Sequence, residues 1–116
     1  MTSALFSGSD VVAEVRRLAV LCPDRIAGAD YVRVGAPCCL VGCALANLGV
    51  PLDVLKKYED RSAYSLIRLL SIEASFEQRY WLRYVQAAQD GYAGYCQRVH
   101  TWNEAVAAAD LAQKVP

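Results

Sequence analysis

The sequence predicts an all-α protein: a compact orthogonal bundle of five to six short helices around a buried central helix at about 38–48. Three observations point there. The stretch from Pro37 to Pro51 is apolar but for Asn47, and no charged residue falls between Arg33 and Asp53. Elsewhere, apolar residues recur at the three-and-four spacing of a helix face. The breaks between those runs carry Ser, Thr, Gly and Pro, which start and stop helices for physical reasons.

The central segment takes its ends from its prolines and glycine. Pro37 suits the first helical position, where its missing N–H costs nothing. Gly49 stands where a left-handed residue closes a helix, and Pro51 forbids continuation. Cys38, Gly42 and Ala46 repeat every four residues and form a face of small side chains, open to a close neighbour. Val41, Leu45 and Leu48 form the bulky face. A helix apolar all round is central or membrane-spanning. This one is too short to span, since a bilayer needs roughly 20 apolar residues. No membrane association is expected.

The rest follows in order. Residues 1–8 read as a flexible arm and 9–116 as a single helical domain. Ser9 or Ser7 caps the first helix, with Asp10 set against its N-terminal dipole. Val11, Val15, Leu18 and Cys22 share a face, and Pro23-Asp24 ends the helix near Leu21. Tyr31-Val32-Arg33-Val34 is the one strand-like run; it predicts extended coil or a small hairpin at most. A short helix at 52–58 turns Leu52 and Leu55 inward. Ser62 caps the next, 63–70, with Ala63, Leu66, Ile67 and Leu70 inward. Ser71 is expected to cap the longest helix, about 72–89, closed by Gly91. Phe76, Tyr80 and Tyr84 form one ridge of it, beside a second ridge of Trp81, Val85 and Ala88. Thr101-x-x-Glu104 has the form of a capping box. The last helix then runs about 102–114, with Trp102, Ala105, Val106, Ala109 and Ala112 inward.

Composition narrows the function classes. The chain has 116 residues, 55% of them apolar, enough for one self-sufficient core. Twelve cations balance 12 acids. They are evenly spread, which disfavours a nucleic-acid surface built on concentrated positive charge. The N-terminus lacks the basic and apolar regions of a signal peptide. Five cysteines are an odd number, and they lie in apolar runs. They read as reduced core thiols in a cytoplasm rather than a disulfide framework.

Metal ligands are one candidate: Cys39-x3-Cys43 and Cys96-x3-His100 form two i,i+4 pairs, and Cys3His is a known zinc set. Against it, Cys39 and Cys43 have apolar neighbours, as core thiols do. A Cys96–His100 nucleophile has no readable oxyanion device. No phosphate-binding Gly loop, HExxH or Gly-x-Ser-x-Gly motif occurs. No catalytic residue and no cofactor is therefore expected. Residues 52–70 have a helix-turn-helix outline, with Lys56, Lys57, Arg61, Tyr64 and Arg68 off the apolar face. Glu59 and Asp60 in the same turn weaken that reading. The aromatic cluster weighs most. Arg79, Tyr80, Trp81, Arg83, Tyr84, Tyr92 and Tyr95, with Trp102 and Arg98 nearby, are the residue types of protein–protein hot spots. Core packing claims some of them.

The runs Cys39-Leu40-Val41-Gly42-Cys43-Ala44-Leu45 and Leu48-Gly49-Val50-Pro51 carry a resemblance. So do Val85-Gln86-Ala87-Ala88-Gln89-Asp90-Gly91 and Trp102 with Ala105-Val106. Over residues 28–110 the chain resembles small uncharacterised proteins of actinobacteria and their phages. The resemblance implies a small cytoplasmic helical protein, phage-encoded and acting during infection. It implies no activity and assigns no site residue. The leading expectation is a non-enzymatic interaction module that meets another protein or itself, as in a homodimer. A nucleic-acid-associated regulator using 52–70 comes second, and a zinc-supported domain third.

Overall fold

Ser7 starts the fold. Its hydroxyl accepts the N–H of Asp10 at 3.4 Å, and the Asp10 carboxylate accepts the N–H of Ser7 at 2.8 Å. This reciprocal box opens α1, Gly8–Leu21. The computed structural model describes residues 5–28, 30–91 and 100–113. The helix thus takes in Gly8, the last residue of the expected arm. The Gly8 N–H donates to the Glu73 carbonyl at 2.7 Å. A Cβ on Gly8 would stand 2.4 Å from that of Ala74, so only glycine allows this approach. Val11, Val15 and Leu18 are buried as their spacing predicts; Cys22 is half-buried.

The strand-like run forms a hairpin. β1 (Val32–Arg33) pairs antiparallel with β2 (Ala36–Pro37). Val34 and Gly35 connect them, both at positive φ, 53° and 74°. Pro37 is therefore a strand residue, not the first residue of the central helix. The reason is a long-range pairing: Cys38 and Cys39 donate their N–H groups to the carbonyls of Tyr31 and Asp30, both at 3.0 Å. The central helix, α2, then spans Leu40–Asn47, shorter than the expected 38–48. Cys39 caps it, its sulfur accepting the Gly42 N–H at 3.3 Å.

The far end of α2 behaves as its glycine requires. Gly49 has φ 107°. Gly49 N–H reaches the Ala46 carbonyl and Val50 N–H the Leu45 carbonyl, both at 3.0 Å. This pair of bonds is a Schellman closure. Val41 and Leu45 are buried, and Leu48 is half-buried. The small face is used differently from expectation. What approaches Gly42 is the hairpin backbone, not a helix: a Cβ there would lie 2.5 Å from the Tyr31 carbonyl oxygen.

α3 (Leu52–Lys57) and α4 (Ala63–Leu69) follow, the latter capped by Ser62 as predicted. Leu55, Ala63, Leu66 and Ile67 are buried. The expected start of the longest helix is corrected. Ser71 closes α4 instead of opening α5, at φ 58°. Its N–H donates to the Arg68 carbonyl and that of Ile72 to the Ile67 carbonyl, a second Schellman closure. Ser75 and Gln78 form the capping box of α5, Phe76–Asp90, which Gly91 ends in the left-handed region. Thr101 and Glu104 cap α6, Trp102–Ala112, as predicted. Trp102, Ala105 and Ala109 are buried, but Ala112 is exposed in the last turn.

The helices pack as an all-α bundle. α2 lies against α1 and α5, while α5 also meets α1, α4 and α6. The centre is thus shared between the apolar α2 and the amphipathic α5. Two glutamines of α5 tie them to their surroundings. Gln86 Oε1 accepts the Ala63 N–H at 2.7 Å, and its Nε2 donates to the Tyr31 hydroxyl at 2.9 Å. Gln89 Oε1 accepts the Leu40 N–H at 2.8 Å. Among the described residues, no helix is long and apolar enough to cross a membrane.

Candidate functional site

The capping box at Ser75 fixes where α5 begins, and so which side chains its first two turns present. Phe76 and Tyr80 are one turn apart, and their ring centroids lie 4.5 Å apart. Tyr64 of α4 joins them, 4.9 Å from Tyr80 and 6.1 Å from Phe76, edge-on to the latter at 84°. Such tilted and edge-to-face pairs are the favoured arrangements of aromatic quadrupoles. Arg79 completes the group, its guanidinium carbon 5.1 Å above the Tyr64 ring. Arg79 Nη1 donates to the Ala74 carbonyl at 3.0 Å, which holds the side chain down. Its Nε is enclosed and has no hydrogen-bond partner among the described residues. Phe76 is 55% exposed, and Tyr64, Arg79 and Tyr80 are half-buried. The result is a fixed apolar surface with one cation built into it.

This group cuts across the sequence-derived sets. It joins Arg79 and Tyr80 from the interaction set to Tyr64 from the nucleic-acid set. Phe76 lies on the predicted ridge but outside every candidate set; its i,i+4 spacing to Tyr80 is the signal that could place it. Trp81 is a correction. It is fully buried. Its indole Nε1 donates to Asp110 Oδ1 at 2.8 Å, and the Arg16 guanidinium lies over its ring at 4.7 Å. Arg16 also holds Asp110 bidentately, at 2.8 and 2.9 Å. That hydrogen bonding lowers the Asp110 carboxyl below its ordinary range. Trp81 stands about 100° round the helix from Tyr80, which turns it into the α1–α5–α6 core. Arg83 and Tyr84 are half-buried. Tyr92 and Tyr95 lie outside the described residues.

The 52–70 segment is less open to phosphate than its sequence implies. Lys56, Lys57, Arg61 and Arg68 are exposed. Yet Arg61 stands 3.6 Å from Asp60, and Lys57 lies over the Tyr58 ring at 5.5 Å. Tyr64 is turned into the aromatic group. Glu59 supports the hairpin, its two oxygens accepting the N–H groups of Tyr31 at 2.7 Å and Val32 at 3.1 Å. The first strand is hung from that carboxylate.

The thiols are in protein packing. Cys39 is buried, and burial pushes its pKa up, so it caps α2 as a thiol. Burial also raises Cys43, which donates to the Cys38 carbonyl at 3.7 Å. Metal ligation needs the thiolate, which these surroundings disfavour. Cys96 lies outside the described residues; His100 is half-buried ahead of the α6 cap. Among the described residues no group of three or more His, Cys, Asp or Glu is placed to hold a metal ion.

Asp90, at the end of α5, is the described carboxyl most displaced upward. Burial raises it to about 6. Its Oδ1 accepts from Gln89 Nε2 at 2.6 Å, while Oδ2 is enclosed without a partner among the described residues. Comparison of the chain with protein-family models, with curated proteins and with solved structures finds no match in any of the three.

Proposed function

We propose that this protein is a non-enzymatic interaction module that docks another protein on the Tyr64–Phe76–Arg79–Tyr80 surface of α4 and α5. Phe76 carries the reading: a phenyl ring more than half exposed, yet fixed by contact with two tyrosines. A ring left in water contributes little to folding, whereas rigid aromatics beside an arginine are what dominate binding hot spots. A fitting partner presents an apolar side chain to Phe76 and a carboxylate toward Arg79. A second copy of the chain is one form such a partner takes. A bacterial host protein is another.

Phe76→Asp tests this cleanly. Position 76 opens α5, where a carboxylate complements the helix dipole, so the fold is retained. Wild type and variant are compared by sedimentation velocity and by capture from bacterial lysate. We expect at least a tenfold loss of self-association or of a specific captured protein, with the helix content unchanged and the melting temperature lowered by only a few degrees through the lost ring contacts. Equal association by both proteins overturns the proposal.

A further inference from the structure

Away from that surface, the end of α2 and the start of α3 meet the end of α4 and the residues ahead of α1. They enclose a cavity of about 350 Å³ that opens to solvent. Its lining runs from Ile72, 4% exposed, to Leu5 at the mouth, fully exposed. Phe6, Val54 and Leu70 line it as well, and no charged side chain is among the described lining residues.

The α2–α3 link forms a wall without hydrogen-bond donors. Leu48 N–H is spent on the Ala44 carbonyl, Gly49 on Ala46 and Val50 on Leu45. Pro51 has no N–H to give. The Schellman closure that ends α2 therefore leaves this wall with apolar side chains and no backbone N–H to offer a ligand. An anionic group set against this wall would lose water and find neither donor nor cation there, which apolar surroundings penalise heavily. A cavity of about 150 Å³ with such a lining stays dry and takes up benzene. This one is larger and falls within the range of small-molecule sites.

We propose that this cavity is a binding site for a small neutral aliphatic molecule, and that Leu5 closes over its mouth. Leu5 is the one lining side chain wholly in water, so it gains apolar contact when the cavity fills. The inference is independent of the docking surface.

The test uses the full chain with 1-decanol and decanoate as probes, followed by calorimetric titration and thermal melting. We expect saturable binding of decanol, raising the melting temperature by roughly 5 °C at about ten times its Kd. Decanoate binds at least tenfold more weakly. Val54→Phe fills the space and abolishes decanol binding. Leu5→Ser, at a position that adds nothing to the core, weakens it several-fold and decides the matter should Val54→Phe fail to fold. Absence of a saturable signal with decanol overturns the proposal, as do unchanged affinity in Leu5→Ser and tighter binding of decanoate.

Discussion

The side-chain carbonyl of Gln89 accepts the backbone N–H of Leu40 at 2.8 Å, joining α5 to the first turn of α2. The same amide donates to the Gly28 carbonyl at 3.3 Å. Gln89 is 1% exposed, so water cannot replace it. Replacing Gln89 by Leu keeps the volume and leaves Leu40 N–H buried and unpaired. We expect a loss of about 2 kcal/mol, read as a lower urea midpoint with an unchanged slope.

Asp90 gives a pH dependence of unusual sign. Its folded pKa is raised from 3.8 to about 6, so the folded state binds the extra proton between those values. Stability conferred by Asp90 is present below about pH 4 and falls as pH rises through 6. Gln89 and Asp30 are the neighbours that shape this response. Asp90→Asn should remove the slope and stabilise the protein at pH 7 by roughly 1–2 kcal/mol after allowance for solvent screening. Glu14 acts in the opposite sense in a lower window. The Arg17 hydrogen bond holds it at about 2 instead of 4.5, so its contribution is lost only as pH falls through that range. Urea midpoints across pH 2–7 for both chains separate the two.

Gly42→Ala sets helix propensity against packing. Alanine in a helix interior is worth about 1 kcal/mol over glycine. The added methyl, however, would sit 2.5 Å from the Tyr31 carbonyl oxygen and 3.0 Å from its Cα, and backbone cannot move aside as a side chain does. Overpacking of this kind costs about 1–3 kcal/mol. We expect net destabilisation by thermal melting.

Val34 offers the reverse. It is β-branched, held at φ 53°, and almost fully exposed at the hairpin tip before Gly35. Asn-Gly is the preferred pair where both connecting residues have positive φ. Val34→Asn should raise stability by about 1 kcal/mol, since no packing is lost and strain is relieved. Chemical denaturation checks it.

What is legible in the sequence has a physical basis. Gly49, Ser62 and Thr101 act through their own backbone or the next three residues, and the sequence carries that information locally. The two serines 71 and 75 show the limit. Both precede a helical run, and only Ser75 has the Gln three residues on that closes a box; Ser71 is diverted by the end of α4. Pro37 departs from its expected place because its conformation is set by pairing with Val32, five residues away. The aromatic group is legible in residue type but not in orientation. Trp81 and Tyr80 are adjacent in sequence, and the 100° between successive helix positions sends one into the core and leaves the other beside Phe76. The Tyr64 contact depends on how α4 lies on α5, which no local pattern encodes.

Photo-crosslinking from position 76 measures most directly whether the aromatic surface meets a protein. Benzoylphenylalanine is placed there, and separately at Asn103, exposed on the first turn of α6. A discrete adduct with a second chain or one lysate protein, formed from position 76 and not from 103, is the predicted result. No adduct from 76, or the same adducts from both positions, would contradict a docking role for this surface.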